Sequence, residues 1–179
     1  MKAWLVLNAI AKLQSPWLTV IAERLQDEQG HLLDYWRIEK ADSLVILPIQ
    51  AETLLLPSAS YRPGIACCTL DFPGGRIDPT QSLESVAHSI LKRELGIPAA
   101  GIRQLQRLNP EGWAVNSSFS NQKLFGMVAQ IEPTLVLDRV GSRFPCQPAG
   151  IQSLRQQLTC LQCRAVLQEW LMMGSFPPP

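Results

Sequence analysis

Charge of one sign is what this chain lacks first: sixteen basic residues stand against fifteen acidic ones, a formal charge of +1. Such a balance supplies no field for holding a polyphosphate backbone, so nucleic acid is not an expected partner. No stretch approaches the roughly 18 uninterrupted apolar residues that a membrane helix needs, and no membrane partner is expected. The start, Met1 to Leu13, holds a short apolar run, but Asn8 interrupts it, Lys12 closes it and no small-residue cleavage pattern follows. It reads as a strand and not as a signal peptide, which predicts a soluble, cytoplasmic protein. The five cysteines, Cys67, Cys68, Cys146, Cys160 and Cys163, are odd in number and follow no export signal, so reduced thiols are expected. Cys160 and Cys163 make a C-x-x-C spacing, yet no second pair stands at zinc-finger distance and the surroundings read as an apolar helix. Core packing is the favoured reading of that pair. The two histidines, His31 and His88, have no partners at catalytic or metal spacing and read as ordinary exposed residues. Internal repeats and low-complexity tracts are missing as well.

What is present fits one globular domain with an N-terminal extension: 179 residues, 46% hydrophobic and 17% charged. Short β-rich runs separated by turn residues predict strands over Leu5 to Ala9, Leu18 to Leu25, His31 to Glu39, Ser43 to Ile49, Thr53 to Leu56 and Cys67 to Phe72. Asp27 to Gly30 supplies a hairpin turn. The period then changes: Leu83, Val86, Ala87, Ile90 and Leu91 fall at helical spacing, opened by Ser82 as N-cap and closed by Gly96 and Pro98. Strands are predicted again at Ile102 to Leu108 and Lys123 to Ile131, followed by a long Pro- and Gly-punctuated loop from Pro133 to Gly150. Two helices in series, Ile151 to Leu158 and Thr159 to Met173, close the chain, with Thr159 and Gln162 at capping-box spacing and Gly174 as the stop.

The informative stretch is Asp71-Phe72-Pro73-Gly74-Gly75-Arg76-Ile77-Asp78 and the helix ending in Lys92-Arg93-Glu94-Leu95-Gly96-Ile97. It resembles the box of the Nudix hydrolases, with Gly75 at the first glycine, Leu91 at the first aliphatic position, Glu94 at the last glutamate, Gly96 at the second glycine and Ile97 at the last aliphatic position. The lead-in from Tyr61-Arg62-Pro63-Gly64 is similar to that of the ADP-ribose pyrophosphatase branch. The resemblance covers almost the whole chain and implies an α+β Nudix fold, a mixed sheet sandwiched between helices, with an N-terminal antiparallel β extension. The implied division is a strand extension over residues 1–40, expected to serve dimerisation and adenine binding, a Nudix domain over 41–174 and a loose Pro-rich tail over 175–179.

The departures carry the functional reading. In an active box the helix projects carboxylates three and four residues apart, on one face, where they hold magnesium beside the pyrophosphate. Here those positions are Ile90, Arg93 and Glu94. One acid with a cation beside it offers little to a hard ion that demands anionic oxygens. The family's structural ion pair is replaced by neutral Gln81 and Ser89, a change the fold should tolerate because both charges are gone together. No metal is therefore expected, with Glu94 as the one remaining ligand and catalytic candidate. Magnesium would be required if the protein is active.

The resemblance also implies ligand contacts. Trp17 and Trp36 occupy segments similar to those whose aromatic residues sandwich an adenine ring in the dimeric relatives. Arg62 corresponds to an arginine near the substrate phosphates, Gly74 and Gly75 would allow close backbone approach, and Arg93 could neutralise a pyrophosphate through bidentate hydrogen bonds. Packing roles for the tryptophans and solvated roles for the arginines stay open. Trp113 falls in a segment expected to be a mobile loop that could cover a ligand. The leading expectation is a homodimeric Nudix-fold pseudoenzyme, sensor or regulatory subunit that binds an adenine nucleotide such as ADP-ribose. The alternatives are an active magnesium-dependent hydrolase of nucleoside diphosphate derivatives, drawing on Asp71 or Asp78, and a non-catalytic dimeric interaction module with an unknown protein partner.

Overall fold

Alternating apolar residues bounded by turn formers make strands, and this chain has twelve of them among the residues described, 3–174, of a computed structural model. The tail over 175–179 lies outside them. In chain order the strands are β1 (Leu5–Gln14), β2 (Thr19–Gln26), β3 (Leu32–Glu39), β4 (Ser43–Gln50), β5 (Thr53–Leu56), β6 (Ser60–Arg62), β7 (Cys67–Thr69), β8 (Gly74–Arg76), β9 (Ile102–Arg107), β10 (Trp113–Ala114), β11 (Lys123–Ile131) and β12 (Ser142–Pro145). The helices are α1 (Leu83–Leu95), α2 (Pro148–Gln157) and α3 (Leu161–Met172). This is an α+β architecture with a mixed sheet and an N-terminal antiparallel extension. Among the described residues no helix is long and apolar enough to cross a membrane.

The described residues divide into two compact units, 3–42 with 113–123, and 43–112 with 124–174. In the first, β1, β2 and β3 form an antiparallel sheet in that order. The β2–β3 hairpin closes at the expected turn, where the Gly30 amide donates to Asp27 O at 3.1 Å. Arg24 lies opposite Asp34 across this hairpin and grips its carboxylate at 2.8 and 3.0 Å. The segment 113–123 lies along β3: Ile38 N donates to Phe119 O at 2.8 Å, the Tyr35 hydroxyl donates to Ser118 O, and Lys40 N donates to Asn121 Oδ1 at 2.8 Å.

In the second unit β4 is the central strand, buried from Leu44 to Gln50. It pairs in parallel with β11 and antiparallel with β5 and β8, while β9 joins β11 and β12 joins β5, both antiparallel. The apolar face of α1, Val86, Ala87, Ile90, Leu91 and Leu95, packs with Leu44, Ile46, Met127 and Ala129. Neighbouring Gly126 faces the other way, and a Cβ there would meet Val166 of α3 at 3.1 Å. Because successive strand residues point to opposite faces, α1 and α3 cover opposite sides of the sheet. Ser82 caps α1, its hydroxyl accepting from Ser85 N at 3.2 Å, and Gly96 ends it in the left-handed region at φ +71°.

Several expectations need correction. The span from Pro133 to Gly150 is not one loop, since it contains β12 and the first turn of α2. Proline misleads there: Pro145 sits at the end of an edge strand, and Pro148 begins a helix, where its missing N–H costs nothing. The capping box at Thr159 does not form, because α3 starts one residue later with Cys160 at the N-cap and no side-chain capping bond. The predicted strand to Phe72 ends at Thr69. His88 is half-buried and not exposed. His31 is exposed, with its ring 3.0 Å from the Asp27 carboxylate of the same turn.

Candidate functional site

The glycine turn and the last turn of α1 meet because β8 pairs along the start of β4, with Gly74 opposite Val45 and Gly75 opposite Leu44. Ile46 N adds a bond to Pro73 O at 2.9 Å. From the helix, Arg93 donates to Gly74 O at 3.1 Å, and Glu94 Oε2 accepts from Gly74 N at 3.3 Å. The two side chains also bond each other, Arg93 to Glu94 Oε1 at 2.6 Å. The amide and the carbonyl of one glycine, which belong to successive peptide units, are thus both held by an arginine–carboxylate pair. Both carboxylate oxygens of Glu94 are engaged, one by a cation and one by an amide. Ile90, at another of the box's acid positions, is 2% exposed and belongs to the core. The arrangement anchors the turn and leaves no pair of free carboxylates along this helix face.

Gln81 and Ser89, at the positions of the family's ion pair, do not bond each other. Ser89 donates to Ser85 O at 3.1 Å, one helical turn back, and Gln81 donates to Asp78 Oδ2 at 3.3 Å. Asp78 also accepts from the Thr80 hydroxyl at 2.7 Å, and that bond holds its carboxyl below the usual range.

Beside the turn lies a second group of polar side chains. Arg62, half-exposed on β6, donates to Asp71 Oδ2 at 2.8 Å, and the Thr69 hydroxyl donates to the same oxygen at 2.7 Å. The other oxygen, Oδ1, faces Cys163 Sγ at 3.9 Å. Asp71, Cys160 and Cys163 form a group whose ligand atoms all lie within 4.8 Å of one another. Cys163 is 2% exposed and Cys160 half-buried. The bond from Cys163 holds the Cys160 thiol down to about 6, and the same bond, with burial, pushes Cys163 up. The spacing of these cysteines was legible in the sequence and Cys163 is buried in the core as expected, while the acid beside it, 92 residues away along the chain, was not foreseen. All five cysteines are free; Cys67 and Cys68 are exposed and Cys146 is buried, its thiol pushed up to about 11 by desolvation.

Trp17 and Trp36 belong to the first unit. Trp17 sits in the β1–β2 turn, its amide bonded to Ser15 Oγ at 3.1 Å, and Trp36 stands on β3 opposite Ala22. Both indoles are more than half exposed, at 65% and 54%. Trp113 is half-buried in β10.

The fold has a counterpart among solved structures. The likeness is to an ADP compounds hydrolase. Its crystal structure superposes with a TM-score of 0.75 at 23% sequence identity, over 98% of this chain and 97% of the other. At that identity the likeness shows the fold alone. No protein-family model matches the chain, and no curated protein does.

Proposed function

We propose that this chain is a nucleotide-binding protein on a Nudix fold whose pyrophosphatase chemistry is reduced or lost. The observation that carries this reading is the engagement of Glu94, the one remaining acid of the box helix face, by Arg93 and the Gly74 amide. Magnesium needs anionic oxygens in near-octahedral order, and without the ion the protein would lack both a charge clamp for phosphates and a means of making hydroxide near neutral pH. The ligand proposed is an adenine nucleotide such as ADP-ribose, with Trp17 and Trp36 as base-stacking residues and Arg62, Arg93, Gly74 and Gly75 as phosphate contacts. A solved structure of like fold described as an ADP compounds hydrolase supports that ligand class.

Calorimetric titration with ADP-ribose, with and without magnesium, followed by analysis for AMP, tests the reading. Binding should be independent of magnesium and should raise stability by about 2.7 kcal/mol at 100 times the dissociation constant. Trp17→Ala and Trp36→Ala should each weaken binding by roughly 1–3 kcal/mol. Magnesium-dependent release of AMP would instead establish a working hydrolase.

A homodimer is part of the proposal, and β1 favours it. This ten-residue strand is an edge of its sheet, and Leu5, Val6, Leu7, Ile10 and Leu13 are each at least 45% exposed. An apolar edge of that length is a template for association. Leu7→Lys combined with Ile10→Lys should raise the dimer dissociation constant by at least about 100-fold, since each aliphatic side chain buried is worth about 1.5–3 kcal/mol. Sedimentation velocity that finds the unaltered protein monomeric at micromolar concentration would remove the dimer from the proposal.

A further inference from the structure

The group formed by Asp71, Cys160 and Cys163 has a donor set and a supporting shell that packing alone does not require. Cys160 is the N-cap of α3 and Cys163 its third residue, so one turn of helix directs both sulfurs to the same side. A C-x-x-C step of this kind is a recurrent half of thiolate metal sites. The third donor comes from the loop between β7 and β8. Asp71 is asymmetric in its bonding: Oδ2 is occupied by Arg62 and the Thr69 hydroxyl, whereas Oδ1 is turned toward Cys163 Sγ at 3.9 Å. Fixing one carboxylate oxygen so that the other points at a metal is the usual outer-shell device for orienting a ligand.

We propose that Cys160 Sγ, Cys163 Sγ and Asp71 Oδ1 form a binding site for a thiophilic divalent cation of the zinc class, with Arg62 and Thr69 orienting the carboxylate. Distances favour it. Tetrahedral zinc with sulfur at about 2.3 Å and oxygen at about 2.1 Å sets its donors roughly 3.6–3.8 Å apart. The Cys163–Asp71 separation of 3.9 Å is already close to that edge, and the whole group lies within 4.8 Å, so closure asks for shifts of about 1 Å or less. Charge favours it too: two thiolates and a carboxylate exceed a divalent cation by one negative charge, and the adjacent Arg62 guanidinium offsets it. The donor set selects a borderline-soft ion over magnesium, because hard cations take oxygen ligands. Three protein donors leave the fourth tetrahedral corner to water. Such an ion would tie the start of α3 to the loop that leads into the glycine turn. It would be distinct from the carboxylate-held magnesium of an active Nudix box, and its presence does not depend on nucleotide binding.

The test uses the full chain, metal-stripped and kept reduced with a phosphine, titrated anaerobically with cobalt(II) alone. One equivalent should produce thiolate-to-cobalt charge-transfer absorption and the intense visible bands of a tetrahedral centre, both abolished by one equivalent of zinc(II). Cys160→Ser should remove about half of the charge-transfer intensity, and Asp71→Asn should weaken binding about 10-fold or more. The double variant Cys67→Ser/Cys68→Ser should retain the full spectrum. A spectrally silent reduced protein, a spectrum unchanged in Cys160→Ser, or one lost in the Cys67/Cys68 double variant overturns the site. Circular dichroism melts of each variant, with the metal-free parent for comparison, separate loss of the site from loss of the fold.

Discussion

Gly74→Ala is expected to destabilise the protein by about 1–3 kcal/mol, and Gly75→Ala by no more than about half a kilocalorie per mole. The two adjacent glycines look equivalent in a sequence, but their surroundings differ in kind. A Cβ on Gly74 would stand 2.9 Å from Leu44 O, a backbone atom of the central strand, with Val45 Cγ2 a further 3.5 Å contact. Relief would require β8 to move off β4, which would strain the Gly74 bonds to Arg93 and Glu94 as well. A Cβ on Gly75 would meet the far end of the Arg93 side chain, Nη2, at 3.3 Å and Ile90 Cδ1 at 3.4 Å, an ordinary van der Waals contact. Urea unfolding, with midpoints compared at unchanged slope, distinguishes the two. Equal midpoints for both variants would mean that β8 is not held against β4 as described.

Arg93→Glu should turn a magnesium-indifferent protein into one that magnesium stabilises. Arg93 is 59% exposed, so the exchange disturbs little packing, but it removes the 2.6 Å bond to Glu94 and the 3.1 Å bond to Gly74 O. Two neighbouring carboxylates then replace a neutralised pair, and magnesium is commonly held by one or two carboxylates with its remaining positions filled by water. In the absence of the ion the variant should lose about 1 kcal/mol through the lost bonds. At ten times its dissociation constant the ion should return about 1.4 kcal/mol, or roughly 3–5 °C in melting temperature. Arg93→Gln is the control, losing the ion pair without adding an acid, and its melting temperature should not respond to magnesium. A parent protein that already melts higher with millimolar magnesium would contradict the account of Glu94 as an engaged carboxylate.

The parts of this molecule that were legible in advance are those governed by local rules. The period of Leu83, Val86, Ala87, Ile90 and Leu91, with Ser82 before it and Gly96 after it, placed α1 within a residue, because helix spacing, capping and the left-handed stop all act over a few positions. Strands β4, β5 and β11 were located for the same reason, as apolar runs closed by turns. Spacing also assigned Ile90 to the core and left Glu94 as a single acid on its face. By contrast β12 and the first turn of α2 were hidden, since their prolines signal a loop locally and are accommodated only by an edge position and a helix start.

The chain's own sequence determined the order and nature of its main elements and the absence of paired carboxylates from the box helix, because residue identity and short-range spacing suffice for both. Only the tertiary structure decided what the remaining polar groups do. It set Glu94 on the amide and Arg93 on the carbonyl of one glycine, divided the two oxygens of Asp71 between Arg62 with Thr69 and a pair of cysteines far along the chain, and separated Gly74 from Gly75 by what each would strike. Hydrogen bonds, ligand geometry and steric contact act over a few ångströms in space, and neighbours at that range are set by how the sheet and helices pack rather than by distance along the chain.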